Sequence, residues 1–124
     1  MGAVTKERPV SSKLAKESGT ALYSWRRSTG LNRETFARIA NFSERTLATY
    51  EKHRKLPVSV RPQINEAVRL VRALMQIIPS EDLAKWLQTP NPGFDGKRPW
   101  TLIKHGERDV LWQMIHQTRQ GAFA

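Results

Sequence analysis

The sequence predicts an all-α fold, and three observations carry that prediction. Residues 62–78 repeat apolar side chains at steps of three and four, the period of a helix with a buried face. Residues 33–52 read as two short helices meeting at a tight turn. Elsewhere start and stop residues bracket helical runs, and strands are hardly indicated.

Residues 1–17 are polar and basic, hold a proline, and read as a flexible arm. Lys6, Arg8, Lys13 and Lys16 either add salt-sensitive phosphate contacts or belong to a solvated tail with no role. The first helix is expected over residues 18–29, with Leu22 and Trp25 inward, Arg26 and Arg27 outward, and Gly30 at a position where helices commonly end.

The chain is organised around residues 33–52. Asn32 can cap the first of the two short helices, whose apolar side carries Phe36, Ala37 and Ala40. Asn41 falls where the chain must turn, and Asn tolerates the left-handed conformation. Phe42 plugs the corner, Ser43 caps the second helix, and Glu44 suits the positive end of its dipole. Leu47 and Tyr50 face the first helix, leaving Arg45, Thr49 and Lys52 on a polar, partly basic front. A helix built in this way, with another crossing behind it, can lie in a DNA major groove. The plainer alternative is an ordinary helical hairpin. The basic run from His53 to Lys55 suits a helix C-terminus near phosphates, and Pro57 and Pro62 bracket a boundary between units 18–57 and 62–124.

In residues 62–78, Ile64, Val68, Val71 and Met75 form a stripe that Ala67, Leu70, Leu74 and Ile77 widen. This breadth exceeds what one packing contact needs, so Ile64, Val68, Val71 and Met75 are assigned to a homodimer seam. The alternative is a fully buried central helix in a monomer. Asn65, Arg69, Arg72 and Gln76 are left to water. Ser80 then caps a short helix to Gln88, with Leu83, Trp86 and Leu87 inward. The Thr89-Pro90-Asn91-Pro92-Gly93 stretch is irregular and reads as an architectural corner. Residues 98–105 form one more short helix, and residues 107–120 the last, stopped by Gly121.

The formal net charge of +10 favours a polyanionic partner, of which nucleic acid is the commonest. Residues 1–60 hold 12 Lys and Arg against 5 Asp and Glu, and residues 61–124 hold 9 against 6, so the excess lies in the front half. With no cysteine there is no disulfide or thiolate zinc site. His53, His105 and His116 lack ligand spacing, no glycine-rich phosphate loop follows a strand, and Glu81 with Asp82 looks like a capping pair. No enzyme activity, cofactor or metal is expected. The tryptophans fall mainly on apolar faces, which argues against an RNA-binding module. No apolar leader or membrane-length stretch is present, and Lys6 replaces the Ser or Thr that myristoylation at Gly2 needs. The expected location is the cytoplasm.

The front half resembles the helix-turn-helix of Xre-type, phage-repressor-like DNA-binding proteins, with Ala37 as the small residue and Tyr50-Glu51 as the aromatic-acidic pair. Asn41 replaces the usual turn glycine. The DNA-contacting set is then Arg33, Ser43, Glu44, Arg45, Thr49 and Lys52. Glu44 repels phosphate unless it accepts from a cytosine amine, so loss of DNA binding is a further alternative.

The rear half carries Trp86-Leu87-Gln88-Thr89-Pro90-Asn91-Pro92, then Gly96-Lys97-Arg98-Pro99, Leu102-Ile103-Lys104-His105-Gly106-Glu107 and the terminal Gly121-Ala122-Phe123-Ala124. This ordered set resembles the toxin-binding domain of Xre-type antitoxins from type II toxin–antitoxin pairs, over residues 64–124. The resemblance implies two jobs: neutralising a cognate toxin, often a RES-domain enzyme that consumes NAD or transfers ADP-ribose, and repressing the operon through its operator DNA. It also implies that Arg119, Gln120, Gly121, Ala122, Phe123 and Ala124 reach toward the toxin's active site. Phe123 offers an apolar anchor, Arg119 a charged fork and the terminus a carboxylate, all suited to a nucleotide-shaped pocket. The alternatives are that Phe123 folds back on its own domain, and that the protein is a stand-alone repressor whose rear domain only dimerises.

Overall fold

A computed structural model describes residues 17–121. They form seven α-helices, α1 (Gly19–Thr29), α2 (Arg33–Ala40), α3 (Glu44–Tyr50), α4 (Arg61–Leu74), α5 (Ser80–Gln88), α6 (Pro99–Lys104) and α7 (Arg108–Arg119), with 3-10 turns at Val58–Val60 and Pro92–Phe94. Among the described residues the only strand-like pairing is an isolated bridge between Asn91 and Lys97. The fold is all-α, as the periodicity predicts.

Side-chain caps set the three front helices. Ser18 Oγ accepts from the Ala21 N–H, Asn32 Oδ1 from the Thr35 N–H and Ser43 Oγ from the Thr46 N–H, at 3.1, 2.8 and 3.0 Å. Asn41 ends α2 in the left-handed conformation at φ 66°. The start of α1 lies against the end of α3, where the Thr20 N–H donates to the His53 carbonyl at 3.1 Å. A side chain on Gly19 would overlap the carbonyl of Tyr50.

Helix α2 is the hub, packing on α3, α4 and α6, while α7 returns to α4 and α6. One continuous core runs from Leu22 and Phe36 through Leu70 to Leu87 and Leu111, so the front and rear halves share their interior. Asn91 holds the corner before α6: its N–H donates to the Lys97 carbonyl, and its side chain accepts from the Gly93 N–H.

Several expectations are corrected. Helix α4 stops at Leu74, and residues 75–78 form a turn in which the Gln76 and Ile77 N–H groups donate to the Ala73 and Leu74 carbonyls, three residues back. Ile64, Val68 and Val71 have no exposed surface within the single chain, and only Met75 is partly exposed. Ile64, Val68 and Val71 therefore fill the chain's own core and are not available as the homodimer seam assigned to them. Arg26 does not project outward and is only 3% exposed. Of the tryptophans only Trp25 is buried, while Trp86, Trp100 and Trp112 are half-buried. Ser80 opens α5 as its first residue and does not cap it from outside.

Candidate functional site

Helix α3 presents Glu44, Arg45 and Thr49 to solvent, with Leu47 fully buried behind them. Ser43 is exposed but engaged, capping the Thr46 N–H and donating its hydroxyl to Thr46 Oγ1 at 2.9 Å. The Thr49 hydroxyl donates to the Arg45 carbonyl at 3.2 Å. Lys52 lies past the helix end, in a turn closed by its N–H to the Thr49 carbonyl. Tyr50 is half-buried against the core, edge-on to Phe42 and His53.

Arg33 differs from these. Its Nε donates to Glu51 Oε1 at 3.0 Å, and its side chain is 35% exposed. Glu51 is buried and also receives the Arg26 guanidinium through two bonds of 2.6 and 3.0 Å. The acidic member of the aromatic-acidic pair thus ties the unit together from inside. Beside it opens a cleft lined by Tyr23, Arg27, Gly30, Asn32, Arg33 and Glu44, with Arg26 at its base. The exposed Arg27 donates to the Tyr23 hydroxyl at 2.8 Å. Arg26 and Arg27 come from the last turn of α1 and Arg33 from the start of α2; Arg26 and Arg33 share Glu51, so the cleft mixes these arginines with the exposed carboxylate of Glu44. Sequence spacing gave Arg26 and Arg27 the same role; only the burial of Glu51 separates them.

At the other end of the molecule, α7 finishes with Arg119, Gln120 and Gly121 exposed. Gln120 Nε2 lies 3.1 Å from His116 Nε2, and Gly121 adopts φ 76° with its N–H donating to the Thr118 carbonyl. Ala122, Phe123 and Ala124 lie outside the described residues. An apolar groove runs between Phe94 and the Val110 and Met114 face of α7. The Trp112 indole N–H donates to Glu66 Oε2 at 2.9 Å, beneath the Arg69 guanidinium. Spacing did not single out Trp112, because its position on α7 falls at the margin of the apolar face. Among the described residues no group of His, Cys, Asp or Glu is placed to hold a metal. No helix among them is long and apolar enough to cross a membrane.

Comparison with known proteins bears on the rear half most directly. Residues 73–111 match the model of the antitoxin Xre/MbcA/ParS C-terminal toxin-binding domain. The match begins at the end of α4 and stops within α7, short of the terminal segment. Across a longer stretch the chain is similar to the mycobacterial cidal antitoxin MbcA of Mycobacterium bovis and of Mycobacterium tuberculosis. It is 24% identical to them over 95 residues, spanning 76% of this chain and 84% of theirs. No solved structure matches the chain.

Proposed function

We propose that this chain, whose residues 73–111 match the Xre/MbcA/ParS C-terminal toxin-binding domain of antitoxins, is an Xre-type antitoxin that neutralises a RES-domain toxin and represses its own operon. Neutralisation is by protein–protein binding, with residues 119–124 directed at the toxin's active site. Repression is by insertion of α3 into the major groove of operator DNA, with Arg45, Thr49 and Lys52 toward the duplex and Arg33 near its backbone. Symmetric DNA binding then uses two protomers with half-sites about one helical turn, ~34 Å, apart. Their contact surface lies elsewhere than on the buried stripe of α4. The proposed site of action is the cytoplasm.

The observation that carries the DNA half is the exposed front of α3 beside a cleft lined by Arg27 of α1 and Arg33 of α2. The toxin half rests on the matched domain and on the exposed C-terminal end of α7.

Co-purification from the native host, with identification of the bound protein, tests both partners. The expected results are a RES-domain enzyme in the complex and a retarded fragment of the chain's own promoter. Recovery of a promoter complex but no protein partner would leave the stand-alone repressor. Recovery of neither sinks the proposal.

A further inference from the structure

The turn between α2 and α3 is held from outside the helix-turn-helix. A helix leaves its last carbonyls without intrahelical partners. For α2 the turn satisfies two of them: the Asn41 N–H donates to the Arg38 carbonyl at 3.2 Å and the Phe42 N–H to the Ala37 carbonyl at 2.9 Å. The last two, on Ile39 and Ala40, belong to residues with no exposed surface. Arg108 Nη2 donates to the Ile39 carbonyl at 2.8 Å. Gln63 Nε2 donates to the Ala40 carbonyl at 2.6 Å and approaches the Asn41 carbonyl at 3.4 Å. Arg108 is the first residue of α7 and Gln63 lies in the first turn of α4, so both donors come from the rear half of the chain. A guanidinium cation at this point also suits the negative end of the α2 dipole.

We infer that Arg108 and Gln63 are positioning residues for operator recognition. They fix the path by which the chain leaves α2 and enters α3, and so the direction in which Arg45 and Thr49 point, without touching DNA. Asn41 is left-handed at φ 66°, which Asn tolerates, so the path of the turn is set jointly by this residue and by the donors that hold its neighbouring carbonyls. Removing either donor takes from a helix-end carbonyl the side-chain partner that holds it, on Ile39 or on Ala40. The turn then opens, and α3 swings with it. The Arg38 guanidinium also lies 3.8 Å from the centre of the Trp100 ring, which ties α2 to α6, but that contact joins side chains and leaves the turn backbone free.

This inference rests on the operator-binding reading above, and its test separates the two. Full-length Arg108→Ala, Gln63→Leu and Arg108→Lys are compared with the parent in two measurements. One is operator and random-DNA affinity across a salt titration; the other is amide hydrogen exchange over residues 41–46 without DNA. Gln63 lies at an exposed rim, so its variant folds even where Arg108→Ala does not. The expected result is about a tenfold loss of operator affinity from the lost hydrogen bond. The salt slope and random-DNA binding stay unchanged, the turn amides exchange faster, and Arg108→Lys recovers part of the loss. A salt slope lower by about one would make the residue a phosphate contact and overturn the inference. Unchanged exchange at the turn would overturn it as well. A parent protein that binds no operator sinks the operator reading alone, and the exchange measurement then upholds or refutes the grip on the turn.

Discussion

Arg26 and Glu51 meet through two bonds, Nε to Oε2 at 2.6 Å and Nη2 to Oε1 at 3.0 Å, with side chains only 4% and 2% exposed. Arg26 also donates to the Leu31 carbonyl at 2.9 Å, and Arg33 joins the same carboxylate. One acid therefore ties together the C-terminal turn of α1, the start of α2 and the end of α3. Removing one member of such a pair strands the other charge in the interior, at a cost of about 3–5 kcal/mol. Glu51→Ala is expected to lose about that much stability in urea unfolding. Arg33→Ala, whose side chain is one-third exposed, is expected to lose about 1 kcal/mol or less. A Glu51→Ala protein as stable as the parent would show that the pair sets geometry alone.

Gly19 packs where no side chain fits. A Cβ there would overlap the Tyr50 carbonyl and crowd the His53 carbonyl at 2.6 Å, and both obstacles are backbone that cannot rotate away. Gly19→Ala would improve intrinsic helix propensity by about 1 kcal/mol at an unobstructed site. Here the forced separation of α1 from α3 reverses the sign, with a net loss of about 1–3 kcal/mol expected, as for overpacked cores. A thermal melt decides, since any rise in midpoint contradicts the close approach.

Val71 separates a core helix from a dimer seam. With no exposed surface in the single chain, it stands among side chains worth about 1.5–3 kcal/mol each on burial. Val71→Lys is expected to abolish cooperative folding, seen by circular dichroism. A folded monomer on size exclusion, from a dimeric parent, would restore the seam.

Much of this was legible from local pattern. The caps Asn32 and Ser43, the left-handed turn at Asn41 and the buried positions Phe36, Leu47, Leu83 and Leu111 follow from short-range spacing. The errors arise where a residue's fate depends on a distant partner. Arg26 looked solvent-facing because nothing nearby in sequence announces Glu51, twenty-five residues on. The width of the α4 stripe was read correctly, but width alone does not say whether a neighbouring chain or α2 and α7 cover it. The grip of Arg108 on Ile39 spans sixty-nine positions and leaves no periodic trace.

Arg45 is the sharpest probe of the proposed DNA face. It is exposed on α3, two residues after the Ser43 cap, where recognition helices bring side chains to base edges. Arg45→Ala is expected to weaken operator binding by about 1–3 kcal/mol while sparing random DNA. Equal weakening on both, in a titration at fixed salt, would reassign Arg45 to phosphate. Stability should change by no more than about 0.5 kcal/mol, as for other surface substitutions.

The terminal segment gives the complementary test at the far end of α7. That helix ends at Arg119, and its last i to i−4 bond runs from the Gln120 N–H to the His116 carbonyl, so its framework is complete before Gly121. Removing residues 121–124 deletes Phe123 and moves the terminal carboxylate to Gln120, while the buried Leu111 and Ile115 keep α7 docked. Neutralisation of the co-expressed toxin is expected to be lost, with operator affinity within about twofold of the parent, or ~0.4 kcal/mol. Growth rescue and operator shift are read from the same pair of strains. Full rescue by the truncated protein would remove the tail from the toxin interface and turn attention to the groove between Phe94 and Met114.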